Sequence, residues 1–350
     1  MTFEKVNRLP MLTYRYLKTN ESDLPYRFPE RAVHAEISDM TYVKKGGEVP
    51  ENLSAASEGW QKAAESGDRF TVDIPDGAEA ELTISVRHTA EHPDYAGLFL
   101  FRLGQNAKLH LVWDWKGRNE PGAYAFAARY DLAEGAQLHA SLLSRHLKGT
   151  ILCDQREVHL ADRAKAVFAS GLLGGETVIV HSRGYLSGKE ADMHEYGFYA
   201  AAGTQNLDLF YHIDHIGEDT RSNIDVKGAL AGTSRKMFRG TIDFKRGCAG
   251  AEGSEGDYAI QLSPKTKNIS LPLLLCTEDN VVGNHASSAG QIDENTVYYL
   301  MSRGFSYEEA RRIVVESLIR PLVDQLDHGL QEEALQMVRQ TLDAQQGVKE

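Results

Sequence analysis

The feature that most restricts how this chain can fold is a repeat. After Pro75 the sequence breaks into short runs of alternating character, each opened by a turn-forming residue and often an alanine. These are GAEAELTI from Gly77, NAKLHLVW from Asn106, GAQLHASL from Gly135, RAKAVFAS from Arg163 and EADMHEYGF from Glu190. Their starts lie 29, 29, 28 and 27 residues apart. Midway between them come AYAFAARY after Gly122, TILCDQREV from Thr150 and TVIVHSRGYL from Thr177, and NLDLFYHI, SNIDVKGAL and MFRGTIDF continue the series at steps of roughly 14 to 16 residues. A strand-plus-turn unit of near-constant length buries its inward face by stacking on copies of itself, which predicts a solenoid. An antiparallel sandwich would recur every ~8–12 residues through Asn-Gly or Asp-Gly hairpins. Here Asp76-Gly77 is the exception among the turns. The expected architecture is mainly β: a parallel β-helix over residues 76–290, between a mixed and helical segment 1–75 and a helical segment 291–350.

The flanks have their own punctuation. Pro10, Pro25, Pro29 and Pro50 interrupt the first segment, leaving one short helix around Ser54 to Ser66, and the segment reads as a cap or docking element. In the tail, Asp293 can cap a helix running through Met301, Gly304 supplies a left-handed stop, and Ser306 with Glu309 forms a capping box for the next helix. There Ala310, Ile313, Val314, Ser317, Leu318, Leu322, Val323 and Leu326 share one side, while Arg311, Arg312 and Glu316 fall off it. Pro321 should kink or interrupt that helix, and a last segment from Leu330 to Ala344 follows Gly329. An apolar stripe of this kind serves either to cap the open end of a solenoid or to dock a partner.

Composition excludes several classes. A net charge of −12 with no basic tract repels phosphate backbones, so nucleic acid is not an expected partner. Cys153, Cys248 and Cys276 include no CxxC pair, which signals neither a disulfide framework nor a self-contained metal site and fits a reducing compartment. The opening MTFEKVNRLPML lacks the basic start and apolar run of a signal peptide, and the apolar runs are too short for a membrane span, so the expected location is the cytosol. There is no GxxxxGK[ST], GxSxG or HExxH, and neither Gly171-Leu-Leu-Gly-Gly-Glu-Thr nor Gly184-Tyr-Leu-Ser-Gly-Lys-Glu has phosphate-gripping spacing. The glycine-rich run Gly247 to Gly256 reads as a flexible loop. His110, His139 and His194 sit four residues into their repeats, which predicts a solvent-facing column with Leu109, Leu138 and Met193 pointing inward. His212 and His215, three apart on a strand, should face opposite ways and are discounted as a ligand pair.

The most specific segment is Gly283-Asn-His-Ala-Ser-Ser-Ala-Gly-Gln-Ile-Asp-Glu-Asn-Thr-Val-Tyr-Tyr-Leu-Met-Ser-Arg-Gly-Phe-Ser-Tyr-Glu-Glu-Ala. It resembles the C-terminal signature of the SufB/SufD family: a histidine among small residues, G-x-I-D, a helix ending Y-L-x-S-R-G, and a second helix opening with x-x-E-A. Phe238-Arg-Gly-Thr-Ile-Asp-Phe resembles the family's R-G-x-I stretch, and Leu9-Pro-Met-Leu-Thr-Tyr resembles SufD-type N-termini. The resemblance implies a right-handed parallel β-helix with helical ends, acting as a non-enzymatic scaffold in a cytosolic iron–sulfur cluster assembly complex. It also implies pairing with a SufB-like paralogue and a SufC-like ABC ATPase docked on the C-terminal helices, here on Ala310, Ile313, Val314, Leu318 and Leu322. No cofactor is expected on the isolated chain; the cluster is transient cargo at the partner interface. Self-pairing of the isolated chain is left open.

SufB-type chains carry a key cysteine where approximate alignment places Asp257 or Tyr258, which points to the SufD role. Asn284-His285-Ala286 stands where many SufD chains have Ser-His-Gly. His285, among small neighbours, is the expected site of cluster assembly, as an iron ligand or a proton-transfer group facing the partner, against the plainer role of bonding a turn. Cys276 is either a thiol ligand or a small apolar strand residue. The competing readings are a β-helical carbohydrate-active lyase, which needs a groove of carboxylates or basic residues, and a purely structural solenoid adaptor.

Overall fold

The computed structural model describes residues 2–13, 18–25, 29–30, 32–47, 65–116, 121–146 and 148–344. The expected helix around Ser54 to Ser66 lies almost entirely outside them. The first strands are short: β1 (Thr2–Val6), β2 (Ser22–Pro25), β3 (Ala32–Val33), β4 (Ala35–Ile37) and β5 (Val43–Lys45). Then come the strands of the repeat: β6 (Asp68–Ile74), β7 (Glu79–Arg87), β8 (Asp94–Leu103), β9 (Lys108–Lys116), β10 (Ala123–Leu132), β11 (Gln137–His146), β12 (Ile151–Leu160) and β13 (Lys165–Gly174). They continue as β14 (Thr177–Leu186), β15 (Asp192–Ala201), β16 (Asn206–His215), β17 (Arg221–Leu230), β18 (Arg235–Phe244), β19 (Glu252–Gln261), β20 (Lys267–Cys276) and β21 (Val282–Gly290). Three helices close the chain: α1 (Glu294–Ser302), α2 (Tyr307–Val323) and α3 (His328–Ala344).

Even and odd strands from β6 to β21 form two sheets, each strand pairing in parallel with those two before and two after it. This is the parallel β-solenoid that the repeat predicts. The pitch is fixed at one turn. Gly77, Asn106, Gly135, Arg163, Glu190, Asp219 and Gly250 all have positive φ, between 55° and 80°. Five of these residues open the repeat units read from the sequence. Each donates its N–H to a carbonyl of the next rung, as Asn106 does to Glu134 at 2.9 Å and Gly135 to Asp162 at 2.9 Å. The residue after it is usually a fully buried alanine: Ala107, Ala136, Ala164, Ala191 and Ala251. A left-handed residue turns the chain inward, and the space between stacked turns admits one methyl group. Glycine makes that conformation without strain; elsewhere L-residues accept about 1–2 kcal/mol, offset by the ladder on both sides.

The interior begins as an aromatic stack and ends polar. Phe101 lies flat on Tyr130 with centroids 4.8 Å apart, and Trp115 on Phe126 at 4.7 Å. At the N-terminal end the exposed edges are closed by this chain itself, β5 pairing antiparallel with β6 and β4 with β7. The β1–β2 hairpin packs on the outer face of the even sheet, where Val6 and Leu24 meet Ala125, Cys153 and Ile179.

The tail corrects three expectations. Neither α2 nor α3 covers the open end: both lie along the outer face of the odd sheet, against Leu143, Ala169, Leu173 and Phe198. The inward side of α2 keeps Ala310, Leu322 and Val323 of the expected stripe but takes Val315 and Ile319 in place of Ile313, Val314 and Leu318, because α2 packs on the sheet and on α3 together and the tertiary contact chooses the phase within a wide apolar arc. Pro321 does not end α2, which runs to Val323; so near the C-terminus its missing N–H costs one helical bond. The Asp293 cap and the Ser306–Glu309 box form as expected, and Gly304 has φ +100°. α3 starts at His328, two residues early, since Asp327 Oδ1 accepts the Gly329 N–H at 2.8 Å. The glycine-rich run also differs: only its start is a turn, and from Glu252 it is strand β19. Gly253 allows this, as a Cβ there would sit 2.8 Å from Ile242 Cγ2.

The alanine turn is testable. Ala164→Leu should lower stability by about 1–3 kcal/mol in urea denaturation, because the stacked rungs on either side cannot widen independently; an unchanged midpoint would show the turn column to be loose.

Candidate functional site

The two ends of the solenoid are finished differently. Strands β4 and β5 close the first rung, whereas among the described residues nothing pairs with the outer edges of β20 and β21. An unpaired edge in register is a template for another strand. The inward face of this last rung is therefore open, and His285 lies on it. Register places His285 beside Glu255, Ser287 beside Asp257, and Gly283 beside Gly253. Glu255 faces the interior, its Oε1 occupying the space that a Cβ on Gly240 would need. Alternation along β21 thus turns His285 to the mouth of the interior, where it is exposed. Gly283 permits this last strand to close down on the rung, since a Cβ there would meet Leu274 at 2.9 Å.

Behind His285 the interior is polar. Glu255 is 3% exposed, and neither carboxylate oxygen has a hydrogen-bond partner among the described residues. Burial, then the neighbouring Asp257 charge, pushes its carboxyl well above the usual range, which favours the protonated form. Asp257 forms a buried ion pair with Lys236, whose ammonium burial pulls down while Asp257 holds it up. Asn268 Oδ1 and Ser270 Oγ, on the inward face of β20, are likewise buried and without partners. Deeper still, Arg156 bridges Asp154 and Glu195, and Glu195, raised by burial to about 7, accepts a hydrogen bond from Ser182 at 2.5 Å. Each unpartnered polar group costs about 1–3 kcal/mol. Those of Glu255, Asp257, Asn268 and Ser270 lie in the last rungs, next to the open end.

The other sequence candidates are distributed unevenly. Cys276 ends β20 in register with inward-facing Phe244 and is exposed at the same rim, its thiol 3.0 Å from the Glu278 carbonyl. Cys153 and Cys248 are buried, and burial, then Glu278, raises Cys248 to about 11. His110 and His139 stack at 5.0 Å on the outer face, Val167 separates them in register from His194, and all three are only partly exposed. The tail partly covers the pair: Asp327 Oδ2 lies 2.9 Å from His110 Nε2, and burial, then His110, lowers His139. His212 and His215 face opposite ways. His215 bonds Thr220 and Ser222 inside, while His212 joins Asp214 and Asp243 on the outer face with ligand atoms within 4.8 Å. Lys245 and Arg183 already neutralise those carboxylates, so the cluster is an ion-pair network rather than a metal site.

Among the expected docking residues, Ala310 and Leu322 are fully buried within the chain and offer no free surface; Ile313, Val314 and Leu318 are partly buried. The exposed apolar side chains of the tail are Tyr298, Tyr299, Met301, Phe305 and Tyr307. No helix among the described residues is long and apolar enough to cross a membrane.

Glu255 and Lys236 were not singled out from the sequence. The available signal was phase: in β18 to β21, charged and polar residues fall on positions where earlier repeats carry Leu, Ile and Phe. A raised carboxyl pKa binds its proton more tightly in the folded chain than the unfolded value near 4.3 allows, so stability should fall as pH rises above that, by up to about 1.4 kcal/mol per unit until the native pKa is reached. Glu255→Gln removes that slope. In denaturant midpoints the variant should gain on the wild type from about pH 5 to about pH 8, and an equal offset at both would show that Glu255 is not protonated in the native state.

Comparison with known proteins now bears on this geometry. The profile of the SUF system FeS cluster assembly SufBD core domain matches residues 86–318, about two thirds of the chain. The iron-sulfur cluster assembly protein SufD of Bacillus subtilis (strain 168) is 32% identical over 124 residues, 35% of this chain and 28% of that protein. An iron-sulfur cluster assembly SufBD family protein of Mycobacterium leprae is 30% identical over 162 residues, 44% of this chain and 41% of that protein. Another, of Mycobacterium tuberculosis, is 25% identical over 230 residues, covering 63% and 57%. The matched stretches thus span well under two thirds of these relatives. A solenoid with these matches across most of its rungs places the chain in the SufB/SufD family of iron–sulfur cluster assembly proteins.

Proposed function

We propose that the chain is a non-catalytic, SufD-type scaffold subunit, on which a nascent iron–sulfur cluster is held as transient cargo between its open end and a SufB-like paralogue. The observation that carries this is His285 on the inward face of an unpaired last rung. A neutral imidazole is a competent iron ligand, and an uncovered edge is where a second β-helix adds strands. By approximate alignment Asp257 or Tyr258 falls where a SufB-type chain would present its cysteine, and Asp257 is paired with Lys236 inside the chain, which favours the SufD assignment. Cys276 at the same rim is a second possible ligand from this side. Three free thiols fit a cytosolic setting. Energy would come from a SufC-like ATPase on the tail. Its contact moves from the buried stripe to the exposed aromatic side chains Tyr298, Tyr299 and Phe305, since surface aromatics of this kind mark interaction sites.

His285→Ala should leave the urea midpoint and co-purification with both partners unchanged while lowering iron and sulfide in the reconstituted complex at least about ten-fold. Loss of stability with cluster assembly retained would reduce His285 to a structural residue of β21. Tyr298→Ser with Tyr299→Ser should weaken ATPase binding at least about ten-fold without altering the solenoid; unchanged binding would move the dock elsewhere.

A further inference from the structure

The even sheet carries a second built cavity, unrelated to the open end's inward face. A cleft of about 690 Å³ lies between the β1–β2 hairpin and the first halves of β16, β18 and β20. Its floor is a closed network. Fully buried Arg239 donates to the Thr19 carbonyl at 2.9 Å, to Ser22 Oγ at 2.8 Å and to Asp208 Oδ1 at 2.8 Å, and Asn7 Nδ2 donates to the same carboxylate oxygen at 2.6 Å. The acidic residues of the cleft are therefore in use: Asp208 in that network, Glu21 beside Arg8 at 3.7 Å, and Asp23 accepting the Lys5 N–H at 3.1 Å.

Arg8 and Lys236 of its lining are likewise paired, but three other cations are not. Lys18, Arg235 and Lys267 line the same cleft, and among the described residues none of them has an ion-pair or hydrogen-bond partner for its side chain. Arg235 and Lys267 are direct register neighbours on β18 and β20, one strand spacing of about 4.8 Å apart. Like charges set directly opposite each other destabilise a sheet unless something neutralises them. In a chain of net charge −12, with carboxylates abundant elsewhere, three unmatched cations converging on one rigid-floored cleft define a site for an anion. Leu12, Met237 and Ile269 give the cleft an apolar wall beside that cationic rim. Its volume falls within the range of small-molecule sites, about 300–1,000 Å³.

We propose that this cleft binds a phosphate-bearing small molecule of mononucleotide size, its phosphates on Lys18, Arg235 and Lys267 and its flat or apolar part against Leu12, Met237 and Ile269. The site is independent of His285 and of cluster assembly. It is tested by isothermal titration of the full chain with ADP, inorganic pyrophosphate and adenosine at low salt. Saturable binding of ADP and pyrophosphate is expected, with ADP tighter and adenosine at least about ten-fold weaker than ADP. Arg235→Gln with Lys267→Gln should weaken ADP at least about ten-fold, whereas Lys189→Gln, an exposed lysine already paired with Glu218, should leave it unchanged. Should the double variant fail to match the wild-type urea midpoint, Lys18→Gln, in the hairpin, provides the same reading. The proposal is overturned if neither phosphate compound binds, if the charge variants do not weaken binding, or if adenosine binds as tightly as ADP. Pyrophosphate binding as tightly as ADP would overturn the apolar half and leave a site for free anions.

Discussion

The rest of the structure depends on a left-handed residue followed by a small one, alanine at every turn but Asp219-Thr220, repeated once per turn from Gly77 to Gly250 and bonded rung to rung through its backbone N–H. Because each turn hands its N–H to the next, the rungs cannot slip relative to one another, and every strand position becomes a column through the molecule. His285, Glu255, Ile224 and Glu195 belong to one such column, and Asn206, Arg235 and Lys267 to another. Both candidate sites are products of this registration. Side chains far apart in sequence are set one strand spacing apart without any loop designed to bring them together.

A solenoid must also end somewhere, and the two ends here obey different physics. At the first rung the chain folds antiparallel strands over its own edges, satisfying the backbone. At the last rung nothing among the described residues pairs with the edges, and beneath them lie a buried carboxyl without a partner, a buried ion pair and unpartnered amide and hydroxyl groups. Aromatic and aliphatic side chains would have closed that end more stably, as they do in the rungs around Trp113 and Phe126. The cost is consistent with an end completed by another chain, in a family whose members assemble clusters. The tail helices, by lying along the odd sheet instead of over the mouth, leave the open end free.

How much of this was legible depended on whether the information was local. Turn chemistry, the αL-Ala repeat, the Asp293 cap and the Ser306–Glu309 box involve neighbours in sequence, so the element order and the position of His285 could be read directly. The phase of α2 could not. Its apolar residues span more than one face, and whether Ala310 and Leu322 or Ile313 and Val314 are buried is decided by Leu143, Phe198 and α3. Glu255 was hidden for a related reason. It lies in a glycine-rich run with the composition of a flexible loop, and only the close approach of Ile242 to Gly253 makes it a strand.

By itself, then, the sequence determined the repeat, the parallel stacking, the helix caps at Asp293 and Ser306 and the family, because each follows from hydrogen bonding and sterics within a few residues or from contiguous motif spacing. Tertiary structure alone decided that the tail lies on the odd sheet, that the His110–His139 pair is partly covered, that Lys236 and Asp257 pair inside, and that cations unpaired among the described residues, from the N-terminal hairpin and two rungs, share a cleft. Those outcomes depend on which surfaces meet across tens to hundreds of residues, a choice set by packing and charge among distant groups that no local pattern encodes.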